Sequence, residues 1–104
     1  MPARRGYVAV LVIDLHFPLA GSLKGKRKDL SSIKAQLHRR FGLTVAETAF
    51  HDLWQRARLT AALTGGTLGP LTGAADNLER WLMGRFPDGV SVHRMIVSVE
   101  ELQG

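Results

Sequence analysis

The stretch Ser22-Leu23-Lys24-Gly25-Lys26-Arg27-Lys28-Asp29-Leu30-Ser31-Ser32-Ile33-Lys34-Ala35-Gln36-Leu37-His38-Arg39-Arg40-Phe41-Gly42 decides how the rest of the chain is read. Leu23, Leu30, Ile33, Leu37 and Phe41 recur at helical spacing and form one apolar stripe. Ser22 stands before the stripe as an N-cap, its hydroxyl placed to accept from an orphan amide one turn on. Gly42 stands after it as a C-cap glycine. The segment therefore predicts a helix running to about Phe41. Lys24, Arg27, Lys28, Lys34, His38 and Arg39 fall on one flank, and Asp29, Ser32 and Gln36 on the other side. Lys26 falls near the apolar stripe at the first turn, where its stem is expected to snorkel outward. Gly25 weakens that turn by about 1 kcal/mol relative to Ala.

Upstream, Tyr7 to Phe17 reads as a strand. Ala9, Leu11, Ile13 and Leu15 point one way; Val8, Val10, Val12, Asp14 and His16 point the other. Downstream, Leu43 to Phe50 reads as a second strand, His51 to Gln55 as a connector, and Ala57 to Thr64 as a third strand. Gly65-Gly66-Thr67-Leu68-Gly69-Pro70 is a loop by composition. Leu71, Ala74, Ala75, Leu78, Trp81, Leu82 and Phe86 mark a second helix. Pro87-Asp88-Gly89 is a turn signal, and Val90 to Val99 a last strand.

The order is β-α-β-β-α-β. Two helices of this length cover one face of a four-stranded antiparallel sheet, the ferredoxin-like α+β arrangement. Each crossover is expected to join neighbouring parallel strands with the right-handed sense. Residues 1–104 are read as one domain, with 1–6 a flexible N-terminus. The second face of the sheet has no helix to cover it. Val8, Val10, Val12, Arg58, Thr60, Ala62 and Thr64 lie there. Either Val90, Val92 and Ile96 or Met95, Val97 and Val99 join them. An open apolar face implies a packing partner, and homodimerisation by sheet stacking through Val8, Val10 and Val12 is the expectation.

Composition narrows the function classes. The chain is 104 residues long, which fits one compact domain. It has no cysteine, so disulfides, thiolate metal sites and thiol nucleophiles are excluded. No apolar run approaches the ~20 residues that cross a bilayer, and Asp14 and His16 break the first one, so neither a membrane span nor a signal peptide is read. A cytoplasmic location is expected. The net charge is +5, and seven of the fourteen Lys and Arg residues lie between Lys24 and Arg40. A one-signed, one-sided face suits a polyanion.

No constellation names a reaction. The four histidines show no metal-ligand spacing, so no metal or cofactor is expected. No serine sits in a nucleophile elbow, and the Gly65 loop lacks a phosphate-loop ending. Glu47 interrupts a core-like strand. It is either a carboxylate paired to Arg56 or Lys24, or a general base beside His51. Trp54 has two readings. It stacks on a base or plugs a partner's pocket with Arg56 on a phosphate, or it closes the core edge while Arg56 pairs with Glu47.

Ser22-Leu23-Lys24-Gly25-Lys26-Arg27, Val45-Ala46-Glu47 and Asp52-Leu53-Trp54-Gln55-Arg56-Ala57 resemble the signature segments of the bacterial YlxP family, domain of unknown function 503. Phe17-Pro18 and Phe41 fit the same pattern, and the similarity runs from about Val8 to the last strand. Gly25 departs from it, at a position where the family carries an acid. The resemblance implies a ferredoxin-like domain and a neighbourhood of translation genes. It implies no activity and no catalytic residue.

The sequence thus leads to a non-enzymatic, translation-associated accessory protein that binds the ribosome or other structured RNA. Lys24, Lys26, Arg27, Lys28, Lys34 and Arg39 would meet phosphates, with Trp54 and Arg56 as flanking contacts. The alternative is a protein-interaction module that uses the open sheet face and binds no RNA.

Overall fold

The computed structural model describes residues 5–18, 20–87 and 89–103; residues 1–4 of the expected flexible N-terminus, and Asp88 of the predicted turn, lie outside them. Strand β1 spans Tyr7–His16, helix α1 Leu23–Phe41, strand β2 Thr44–Ala49 and strand β3 Arg56–Gly65. Helix α2 spans Leu68–Arg85 and strand β4 Val90–Ser98, followed by a short 3-10 turn, Glu101–Gln103. The sheet order is β2-β3-β1-β4, and every neighbouring pair is antiparallel. This is the ferredoxin-like α+β fold. Each crossover skips a strand: β3 lies between β1 and β2, and β1 lies between β3 and β4. The strands it joins are therefore not neighbours, contrary to the expectation from the element order.

Helix α1 forms where its signals place it. Ser22 is extended, and its Oγ accepts from the Gly25 amide at 3.0 Å. Gly42 adopts φ 70°, a left-handed conformation that glycine takes without steric cost, and its amide donates to His38 O at 2.9 Å. Helix α2 starts earlier than composition suggests. Leu68, Gly69 and Pro70 form its first turn, because a first-turn residue has no intrahelical amide bond for proline to lose.

One face of the sheet carries the core. Ala9, Leu11 and Ile13 are fully buried, and Leu15 is nearly so. They meet Leu30, Ile33 and Leu37 of α1 and Leu71, Ala75, Leu78 and Leu82 of α2 in a single cluster. Arg94 faces the same side, opposite Leu11, and donates to Glu79 at 2.9 Å and Asp76 at 2.7 Å, which ties β4 to α2.

The register fixes the opposite face. Val8 is opposite Val97, Val10 opposite Met95, and Val12 opposite His93. Met95 and Val97 therefore look out with the three valines, while Val90, Val92 and Ile96 pack on the core. At one end of this face Arg58 donates to both carboxylate oxygens of Asp14, at 2.7 and 3.2 Å. Those bonds hold the Asp14 carboxyl below its ordinary value of 3.8; burial opposes the shift, and the charges of Arg58, Arg56 and His93 add to it.

The lowered value makes Asp14 a pH-linked contributor. Well above pH 3.8 the carboxyl is ionised in folded and unfolded chains alike, and its contribution is fully present. As pH falls, the unfolded chain takes the proton first, and the contribution is lost as pH passes through the lower folded value. Asp14→Asn lacks this segment. Its denaturant midpoint should therefore fall less steeply than that of the parent protein as pH is lowered below 3.8.

Candidate nucleic-acid interface

Helix α1 projects Lys24, Arg27, Lys28 and Arg39 into solvent, with Lys34 partly exposed. Among the described residues none of these five lies within ion-pair distance of a carboxylate. Asp29 is the sole acid on the helix. Lys24 and Arg39 are fifteen positions apart, which spans about 22 Å of helix at ~1.5 Å per residue. Arg40 behaves differently, with its guanidinium 5.7 Å from the centroid of the Trp81 ring.

Lys26 corrects the expectation of a stem that snorkels outward, because it is only 1% exposed. A first-turn side chain leans back toward the helix N-terminus, and here that direction leads into the gap where β2 and β3 separate. The ammonium donates to Phe50 O at 2.7 Å, Arg56 O at 3.0 Å and His51 O at 3.4 Å. All three of its protons are then committed. Glu47 Oε2 sits 3.3 Å away as a counter-charge, with no directed hydrogen bond from the described residues. Lys26 is thus an internal cation, and its tip is not part of the displayed face.

The local backbone explains how three carbonyls converge. The β2–β3 register shifts between Glu47 and Ala49, a bulge at Thr48. Two residues on, Phe50 has φ 64°, a left-handed conformation that costs a non-glycine residue about 1–2 kcal/mol. The cost is met locally: Phe50 O accepts from both Lys26 Nζ and the Leu53 amide, the latter at 3.0 Å.

The segment 50–56 is fastened at further points. Phe17 donates its amide to Gln55 O at 2.7 Å, Gln55 Nε2 donates to Pro18 O at 3.2 Å, and His51 Nε2 lies 3.2 Å from Glu47 O. Its crest is left open. Leu53 is 47% exposed and Trp54 51%, and Asp52 to Arg56 line a shallow hollow of about 470 Å³. Trp54 does not close the core edge. Arg56 does not pair with Glu47; its guanidinium lies 4.1 Å from the Phe50 ring centroid, with Arg58 5.2 Å from the same ring. Such stacking orients a guanidinium while leaving its edges free to donate.

The Lys26 anchor ties the first turn of α1, which carries Lys24, Arg27 and Lys28, to the β2–β3 loop that carries Trp54, whereas the register sets Arg56 beside Arg58 on the sheet face away from the helices. Lys34 and Arg39 extend the face toward the helix C-terminus. Val8, Val10 and Val12 lie on the other side of the sheet. Glu47, the candidate base, is the carboxylate of the Lys26 pair, 3.9 Å from His51 Nε2. Among the described residues no group of three or more His, Asp or Glu side chains is arranged to hold a metal, and no helix is long and apolar enough to cross a membrane.

The family model for DUF503, described as a protein of unknown function, matches residues 8–94. The chain belongs to this family. No curated protein matches it. The DUF503 region runs from β1 into β4, so the basic helix, the Lys26 anchor and the Trp54 loop all lie within it.

Lys26→Met should lower stability by about 3 kcal/mol in urea unfolding, because it strands Glu47 and takes one donor from each of three carbonyls. Lys26→Met with Glu47→Met should recover part of that loss, whereas Lys24→Met should change stability by less than about 0.5 kcal/mol. Equal effects at Lys24 and Lys26 would mean that the internal ammonium does not anchor the loop.

Proposed function

We propose that this DUF503 protein is a non-enzymatic accessory factor that docks on structured RNA, with the ribosome as its setting in the cytoplasm. One observation carries the reading. Four exposed cations and the partly exposed Lys34 lie along one helix with no carboxylate within ion-pair distance among the described residues, and the loop fastened to that helix's first turn exposes a tryptophan. Same-sign charges held together repel one another, and a polyanion relieves that repulsion. The first turn of α1 adds free backbone amides to the same end. The resemblance to the YlxP group, with its translation-gene neighbourhood, agrees with this partner class.

The residues divide the work. Lys24, Arg27, Lys28, Lys34 and Arg39 take phosphates and fix orientation without reading sequence. Trp54 supplies a face on which an unpaired base stacks, and Arg56 meets an adjoining phosphate. Lys26 positions the loop from inside. A target with a helical segment beside an unpaired stretch satisfies all three.

The alternative, a protein-interaction module without RNA binding, draws on the uncovered sheet face. Filter binding to ribosomal subunits and to a hairpin RNA, across 50 to 300 mM salt, separates the two. Affinity should fall steeply with salt, with a log–log slope of about −3 to −4 for four or five phosphate contacts. Changing Lys24, Arg27 and Lys28 together to Glu should abolish binding. Trp54→Ala should weaken binding to a looped RNA about 5- to 100-fold and leave a blunt duplex nearly unaffected. Salt-independent affinity, or binding that survives the triple change, refutes the RNA reading.

A further inference from the structure

We infer that the open face of the sheet is the interface of a symmetric homodimer, two copies stacking sheet on sheet with their basic helices turned outward. The inference does not depend on RNA binding.

The composition of the face comes first. Val8, Val10, Val12, Ala62, Met95 and Val97 form its centre, and Met95 is 60% exposed. None of the six packs against the core cluster. Threonines border this centre toward β2, where Thr48 and Thr60 share a hydrogen bond of 2.9 Å. An apolar centre inside a polar rim is the anatomy of an interface.

Area and charge select a second copy. Strands of ten, six, ten and nine residues, at about 3.4 Å per residue and about 4.8 Å apart, present roughly 570 Å² of projected sheet. Side-chain relief brings the accessible area near the ~800 Å² per partner of a standard stable interface. The chain carries a net charge of +5, yet Asp14 and Arg58 of this face pair at 2.7 Å and cancel. Arg56 lies at the same end of the face, opposite His16, while the centre of Val8, Val10, Val12, Ala62, Met95 and Val97 carries no charge and offers a polyanion or an acidic protein nothing to pair with. A twisted sheet of equal size with an uncharged centre fits, and this chain presents one. Stacking also places the two α1 helices about three layer spacings apart, roughly 30 Å. That is about three Debye lengths at 0.1 M salt, so their mutual repulsion is screened.

The relief of the face is self-complementary. Met95, Val10 and Ala62 lie in one row across β4, β1 and β3. A two-fold axis along β1 sets the protruding Met95 of each copy over the small Ala62 of the other, with the Val10 side chains meeting at the axis. Knob against gap on both sides of one axis is what an isologous contact requires.

The test is sedimentation equilibrium and light scattering on nuclease-treated protein, in 0.1 and 1 M salt. The expected mass is twice the 11.4 kDa of one chain at both salts, since a neutral apolar contact gains nothing from low ionic strength. Met95→Glu should weaken the dimer at least about 100-fold, because each copy then buries an unpaired carboxylate. Met95 is exposed in the single chain, so this variant keeps the parental helical circular dichroism and remains interpretable. Val10→Glu provides the second variant. A monomeric parent at 200 μM overturns the inference. So does a dimer that persists in folded Met95→Glu, or one that dissolves at 1 M salt, which would mark polyanion bridging.

Discussion

The ammonium of Lys26 is the constraint on which the arrangement around α1 depends. It stands where the helix begins, where β2 ends and where β3 starts, and it bonds to the carbonyls of Phe50, His51 and Arg56. Burying an ammonium costs several kcal/mol, and the Glu47 carboxylate and three carbonyl bonds offset that cost. The net gain in stability from such a cluster is small. Its effect lies in an asymmetry: once the ammonium is inside, every partner must stay in place, because a stranded charge or orphaned carbonyl is far more costly than the intact set is favourable. This locks a six-residue connector that would otherwise be free to take many conformations, and it makes the left-handed backbone at Phe50 tolerable.

That lock ties a feature of the sheet to a feature of the helix layer. Lys24, Arg27 and Lys28 follow the first turn of α1; Trp54 and Arg56 follow the loop. Both segments are fastened to one internal side chain, Lys26. Pre-positioning lowers the entropy lost when a ligand engages both at once. The same logic explains why Arg56 stacks on Phe50 rather than pairing with Glu47. The carboxylate is already committed to the internal cation, and the guanidinium lies over the Phe50 ring instead.

Most of the fold was legible because each local signal agreed with the global one. Ser22 and Gly42 bound α1, the stripe from Leu30 to Phe41 sets its buried side, and the alternation of β1 separates Ala9, Leu11 and Ile13 from the three valines. Glycine-rich composition misled at Leu68–Pro70, because a proline in a first turn looks like a loop residue and behaves like a helix residue. Strand order was misjudged because element order alone does not show that a third strand inserts between two joined by a crossover. The face taken by each residue of β4 could not be read at all: Val92 and Met95 are both apolar, and only the register against β1 separates them. At the candidate site, two anomalies were visible separately. Lys26 lay beside an apolar stripe and Glu47 interrupted a core-like strand. Opposite charges in two places where charge does not belong are the signature of a buried pair, but recognising it required knowing that the first turn of α1 meets the end of β2. The left-handed Phe50 left no sequence signal, since neither glycine nor asparagine occupies the position.

The distribution of charge between the two layers follows from the same architecture. A 104-residue chain has too little interior to hide surplus cations, so nearly all of them must be displayed. Placing them on α1 puts them on the far side of the sheet from the valines. The centre of the sheet surface can then be uncharged, with Asp14, Arg58 and Arg56 gathered at one end, while the helix surface stays strongly cationic. Had the charges been spread evenly, neither surface would have distinct chemistry: the sheet would repel its own copy, and the helix would present too few cations at any point to hold a chain of phosphates. The two-layer fold therefore does more than bury Leu11 and Leu37. It insulates an apolar surface from a polar one by a sheet and a helix, about 10 Å per layer, and so allows each to meet a different kind of partner without interfering with the other.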